Sequence, residues 1–98
     1  MSKGSDRPES NAPAASGFVF PTDFPIKIMG PNRLEFEPQM IAIVRSHAPD
    51  LDISTVEVRQ SRAGNYLSLT VTIRAQSRAQ LDAIYRELTG HPWVKVVL

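Results

Sequence analysis

The chain has no cysteine. That excludes a disulfide framework, a thiolate metal site and thiol chemistry, and it fits a reducing compartment. Long apolar runs are missing as well. No segment approaches the roughly 20 apolar residues that a membrane-spanning helix requires. The N-terminus, MSKGSDRPESNAPAASG, lacks the apolar stretch of a secretory signal. Net charge is nearly absent: 11 Lys and Arg stand against 10 Asp and Glu, giving +1. So small an excess does not make the broad basic footprint of a nucleic-acid or membrane binder. Together these absences point to a cytoplasmic protein.

What is present fits one small domain. The 98 residues are 42% hydrophobic and 21% charged, an ordinary globular balance. Met1 to Gly17 contains Ser, Pro, Ala, Gly and charge, with no aromatic or β-branched residue. It cannot bury enough apolar surface to offset its ordering entropy, so residues 1–17 read as a disordered tail and 18–98 as the domain. Phe18, Val19, Phe20 and Phe24 follow, broken by Pro21 and Pro25. Such a segment suits an extended surface strap more than a long strand.

Periodicity then assigns the elements. Phe24 to Met29 reads as a strand, with Ile26 and Ile28 on one face and Lys27 and Met29 on the other. Gly30-Pro31-Asn32 is a turn. A helix runs from about Leu34 to His47, regular from near Glu37, because Pro38 is tolerated only in a first turn. Phe36, Met40, Ile43, Val44 and His47 form its apolar face. Thr55 to Ser61 and Tyr66 to Ala75 alternate as strands, joined by Arg62-Ala63-Gly64-Asn65, a hairpin with residues that tolerate positive φ. Ser77 opens a second helix with capping-box spacing to Gln80, Leu81, Ile84, Tyr85 and Leu88 form its stripe, and Gly90 ends it. Trp93 to Leu98 is the last strand. The order β-α-β-β-α-β predicts a ferredoxin-like α+β sandwich: a four-stranded antiparallel sheet with two helices on one face.

No catalytic constellation emerges, so no enzyme activity is expected. His47 lies in a helix's last turn, where capping or packing explains it better than ligand or metal contact. His91, between Gly90 and Pro92, reads as a solvated loop residue. Two distant histidines without a spaced carboxylate do not make a metal site. Asp50, Asp52, Asp82 and Glu87 show no pairing suited to acid–base work and read as helix-end or loop carboxylates. No cofactor is implied. Tyr66 begins a strand and is expected to pack with its hydroxyl exposed.

The sheet face opposite the helices is a candidate surface. Alternation places Lys27, Met29, Glu57, Arg59, Ser68, Thr70, Thr72, Lys95, Val97 and Trp93 there. A basic face with an aromatic resembles an RNA-recognition sheet in outline. Those modules, however, stack bases on aromatics of the central strands, where the third strand here carries Ser, Thr and Arg. A solvated face or a protein-binding or self-association face fits better. Its anchors would be Lys27, Met29, Arg59, Trp93 and Lys95.

The run FPTDFPIKIMG (Phe20 to Gly30), His47-Ala48-Pro49 after the first helix, Gly64-Asn65-Tyr66 opening the third strand and the closing VKVVL (Val94 to Leu98) together resemble the YbeD-like family of small bacterial proteins. The resemblance spans about Phe18 to Leu98; the tail departs from it. It implies a ferredoxin-like fold similar to ACT domains, which are amino-acid-binding regulatory domains. It also implies a link to lipoate metabolism, since the family's genes often lie near lipoate-attachment genes. It carries no established function or catalytic residue. In ACT domains a glycine in the first strand-to-helix turn lets a ligand approach the backbone, while the helix start offers N–H groups to a carboxylate. Met29 to Leu34 is similar, which implies Gly30, Asn32 and Arg33 as ligand-binding residues; the simpler reading is that Gly30 only makes the turn.

The function expected from these readings is an interaction or regulatory module that docks on a protein partner, or on itself, through the open sheet face or an exposed edge strand. The alternative is an ACT-like amino-acid sensor, with an RNA-binding module third.

Overall fold

The computed structural model describes residues 19–98; the tail expected over residues 1–17, and Phe18, lie outside them. The elements are β1 (Thr22–Pro31), α1 (Phe36–His47), β2 (Glu57–Gln60), β3 (Tyr66–Ala75), α2 (Arg78–Thr89) and β4 (Val96–Val97), with a 3-10 turn at Ile53–Thr55. The sheet is antiparallel with strand order β2-β3-β1-β4. This is the ferredoxin-like arrangement the alternation predicts.

The two central strands pair along their whole length, from Thr22 opposite Ala75 to Pro31 opposite Tyr66. Side chains alternate across a strand. Phe24, Ile26 and Ile28 of β1 therefore meet Ile73, Val71 and Leu69 of β3 on one face, and all are buried. The helices cover that face, packing on each other and on β1 and β3. Phe36, Met40, Ile41 and Val44 come from α1, and Leu81, Ile84 and Leu88 from α2.

The expected strap is a correction. Past Pro21 the chain is already strand, and β1 runs straight through Pro25. Lys27, two residues on, points its N–H and C=O to the outer flank, where they bond Leu98 at 3.0 and 2.8 Å. Pro25 has the same orientation, on a part of that flank β4 does not reach. Its missing N–H therefore breaks no ladder bond.

Helix α1 starts at Phe36, so Leu34 lies in the preceding turn and is 93% exposed. Pro38 is the third helical residue, where an N–H has no intrahelical acceptor. Ile41 is buried and Ile43 only half-buried, the reverse of the expected stripe. Helix α2 is capped by Ser77, whose Oγ accepts from the Gln80 amide at 3.1 Å. The Gln80 side chain answers one residue further back than a standard capping box, accepting from the Gln76 amide at 2.7 Å. Its Nε2 donates to the His47 carbonyl at 2.8 Å, tying the end of α1 to the start of α2.

Two strands differ from the reading. β2 is shorter than expected because the chain makes the 3-10 turn first. Its residues are all exposed, Val58 included at 42%, since this edge strand extends beyond the helices. β4 is only Val96–Val97, and Trp93 precedes it. Val97 lies opposite Ile28 and Val96 opposite Met29. Val97 therefore faces the helix side and Val96 the open side, the opposite of the expected placement. In the β2–β3 hairpin only Gly64 has positive φ, at 80°.

Candidate functional site

The open face is built by register. Arg59, Ser68, Met29 and Val96 form one row across the sheet, and Glu57, Thr70 and Lys27 the next. Leu98 extends the second row, since its backbone bonds Lys27 in both directions. Tyr66 and Pro31 close the end. The face is thus graded. Its β2 side carries the Glu57 and Arg59 charges, its middle Ser68, Thr70 and Thr72, and its β4 side half-buried Met29 with exposed Val96 and Leu98. Lys27 shares that face, and exposed Lys95 lies at the sheet edge just before β4, its amide donating to the Met29 carbonyl at 2.8 Å. Tyr66 is 44% exposed. Val96 and Leu98 were not among the expected anchors. VKVVL is apolar at too many positions for alternation to choose a face.

Trp93 belongs to a different group. The Arg33 guanidinium lies over its indole at 4.6 Å, and the His91 ring packs against it with centroids 5.3 Å apart. His91 Nδ1 accepts from the Trp93 amide at 3.1 Å, which leaves Nε2 to donate to Gln39 Oε1 at 3.0 Å. His91 is therefore a half-buried bracket between the α2–β4 loop and α1, not a solvated loop residue. The indole itself packs against the core. The structure brings Gly30, Arg33 and Trp93 together at one end of the sheet, and Lys27, Met29 and Arg59 on its open face.

At that end, Gly30 is buried between Phe36 and Trp93. A Cβ there would meet the Phe36 ring, and would lie 2.7 Å from the Trp93 carbonyl oxygen. The glycine is needed by core packing, on the side where a side chain would project. Asn32 is also engaged: its amide donates to the Asn65 carbonyl at 3.0 Å and its Nδ2 to the Gly64 carbonyl at 2.8 Å. It pins this turn to the β2–β3 hairpin. Arg33 keeps N–H groups beside its ring contact and is exposed.

His47, Glu87, Asp52 and Asp82 have structural partners. His47 Nε2 lies 2.7 Å from Glu87 Oε1, a cross-helix carboxylate the sequence reading did not pair with it. Asp52 caps the 3-10 turn through Ser54, whose hydroxyl and amide hold its carboxyl below the usual range. Asp82 pairs with Arg78 at 3.8 Å. Among the described residues, no three His, Cys, Asp or Glu side chains are grouped to hold a metal, and no helix is long and apolar enough to cross a membrane.

Comparison with known proteins identifies the lineage. A family model described as "Protein of unknown function (DUF493)" matches residues 15–98. The chain belongs to this family. It is the small bacterial family that the sequence resemblance indicates. Relatives called UPF0250 proteins include one from Paraburkholderia phytofirmans, 59% identical over 81 residues, covering 83% of this chain and 91% of that one. Another, from Ralstonia nicotianae, is 46% identical over 98 residues, the full length of both. Among solved structures, the crystal structure of the ACT domain from GTP pyrophosphokinase of Chlorobium tepidum aligns with TM-score 0.59 and 20% identity, covering 79% of this chain and 97% of that one. Its solution NMR structure aligns with TM-score 0.59 and 18% identity, over 78% and 84%. Identities this low establish a shared ACT-like fold and nothing about ligand.

Proposed function

We propose that the domain is a non-catalytic cytoplasmic interaction module whose open sheet face docks a protein partner. The observation that carries this reading is the apolar strip of Met29, Val96 and Leu98 on the helix-free face, with Lys27 on that face and exposed Lys95 just before β4. Exposed apolar area beside cationic groups favours a partner segment that is apolar and acidic, with the charges setting register and rate of encounter.

The small-molecule reading draws on the ACT-like fold alone. Its central residue, Gly30, is closed on the side of its missing side chain by Phe36. A link to lipoate metabolism rests on the family resemblance and is left to the identity of the partner.

The test is capture from the native host by immobilised domain carrying Lys27→Glu with Lys95→Glu, beside Ala42→Glu on the exposed helix side. The reading expects the captured partner to be lost with the first change and kept with the second. Retention in both, or loss through Arg33→Ala alone, would move the site off the open face.

A further inference from the structure

The α2–β4 connection hangs on one imidazole. His91 Nδ1 accepts from the Trp93 amide at 3.1 Å, and the His91 carbonyl accepts from the Val94 amide at 3.1 Å. The His91 amide is itself taken by the Leu88 carbonyl at the end of α2. The Trp93 amide has no other acceptor among the described residues. Two residues on, the Lys95 amide bonds the Met29 carbonyl and begins the seating of β4. That strand is only Val96–Val97, so it depends on the loop that delivers it.

A ring nitrogen accepts a hydrogen bond only while it carries a lone pair. His91 is therefore neutral in this arrangement, with its proton on Nε2, donated to Gln39 Oε1. Protonation puts an N–H on Nδ1, aimed at the Trp93 N–H. Two donors then face each other, and the Trp93 amide is left without a partner. The new cation also arrives against an indole that already carries the Arg33 guanidinium. No anion compensates it. From α1 it meets the uncharged Gln39, with Glu35 one turn earlier; from α2 it meets the Leu88 carbonyl, with Glu87 one turn earlier and bonded to His47; Arg33 and Lys95 are cationic. Among the described residues no carboxylate pairs with His91. The closed loop thus binds one proton fewer than an open one, and falling pH favours opening.

We propose that His91 is an acid-operated latch, whose protonation frees the Trp93 loop and lets β4 leave the edge of β1. The indole, packed against the core while the latch is closed, then meets water. Val96 and Leu98 go with β4, so acid dismantles part of the apolar strip on the open face. The latch does not depend on what docks there.

Trp93 is the chain's sole tryptophan, so its emission reads the latch directly. The full chain is titrated from about pH 8 to about pH 5, the range in which imidazoles change charge. Emission should shift to the red in step with the His91 ring signals followed by NMR. Hydrogen-exchange protection of the Lys95 amide, corrected for the intrinsic pH dependence of exchange, should fall at least ~10-fold. His91→Asn keeps an oxygen where Nδ1 stands and cannot be protonated, so it should show neither change. His47→Gln removes the other histidine and should behave as wild type. Emission and protection that stay flat while His91 titrates, or a red shift with Lys95 protection intact, would overturn the proposal. So would a transition that persists in His91→Asn or vanishes in His47→Gln. Loss of far-ultraviolet circular dichroism over the same range would mark global acid unfolding instead of a latch, and would overturn it too.

Discussion

The Phe36 ring occupies the space into which a side chain at position 30 would project, and the Trp93 carbonyl oxygen closes the same space at 2.7 Å. Phe36 is fully buried, so the ring has little room to withdraw. Gly30→Ala should destabilise the domain by about 1–3 kcal/mol through overpacking. In a Phe36→Leu background the same change should cost less, because part of the obstruction is gone. Urea unfolding of the four proteins measures this. An alanine accepted without loss would mean that Gly30 is kept for something other than packing.

The third strand provides a test of facing. Leu69 is fully buried against the helices while Thr70 lies half-buried on the open side. Leu69→Ala should cost about 2–5 kcal/mol and Thr70→Ala much less. Equal costs would reverse the sheet's two faces.

Ser77→Ala should remove about 1 kcal/mol by stripping the α2 cap, whereas Ser77→Asp should preserve it. Gln80→Ala should also destabilise, because it releases the His47 carbonyl and the Gln76 amide together. Thermal melts of the three variants read both effects.

Burial raises the Tyr85 phenol above its ordinary pKa of 10.0. The ring stands edge-on to Phe24, with centroids 6.5 Å apart. The folded state thus holds the phenolic proton more firmly than the unfolded chain. Its contribution to stability is full below about pH 10 and is lost as pH rises through the raised value. Urea midpoints across that range should fall less steeply for Tyr85→Phe than for wild type. Parallel curves would show that the phenol stays accessible to water in the fold.

The central strands were legible because buried and exposed residues alternate without interruption from Ile26 to Met29 and from Leu67 to Ala75. The α2 cap was legible because Ser77 and Gln80 carry it locally. The last strand was not, since Val94, Val96 and Val97 offer three apolar residues to two faces, and only pairing with Ile28 and Met29 decides between them. The exposure of Val58 depends on how far the helices reach over an edge strand, which no local pattern encodes. Trp93 moved from the open face to the Gly30 end for the same reason. Its partner Arg33 is brought to it by the fold, far away along the chain. The pairing of His47 with Glu87 likewise follows from helix packing.

The most direct measurement of the open-face account is photo-crosslinking inside the native host. A photoreactive residue at Thr70, in the middle of the helix-free face, is compared with one at Ala42 on the outer surface of α1. The account predicts a discrete protein adduct from position 70 that disappears with Lys27→Glu and Lys95→Glu, and no such adduct from position 42. An adduct from position 42 alone, or one from position 70 that survives the charge reversals, would contradict it.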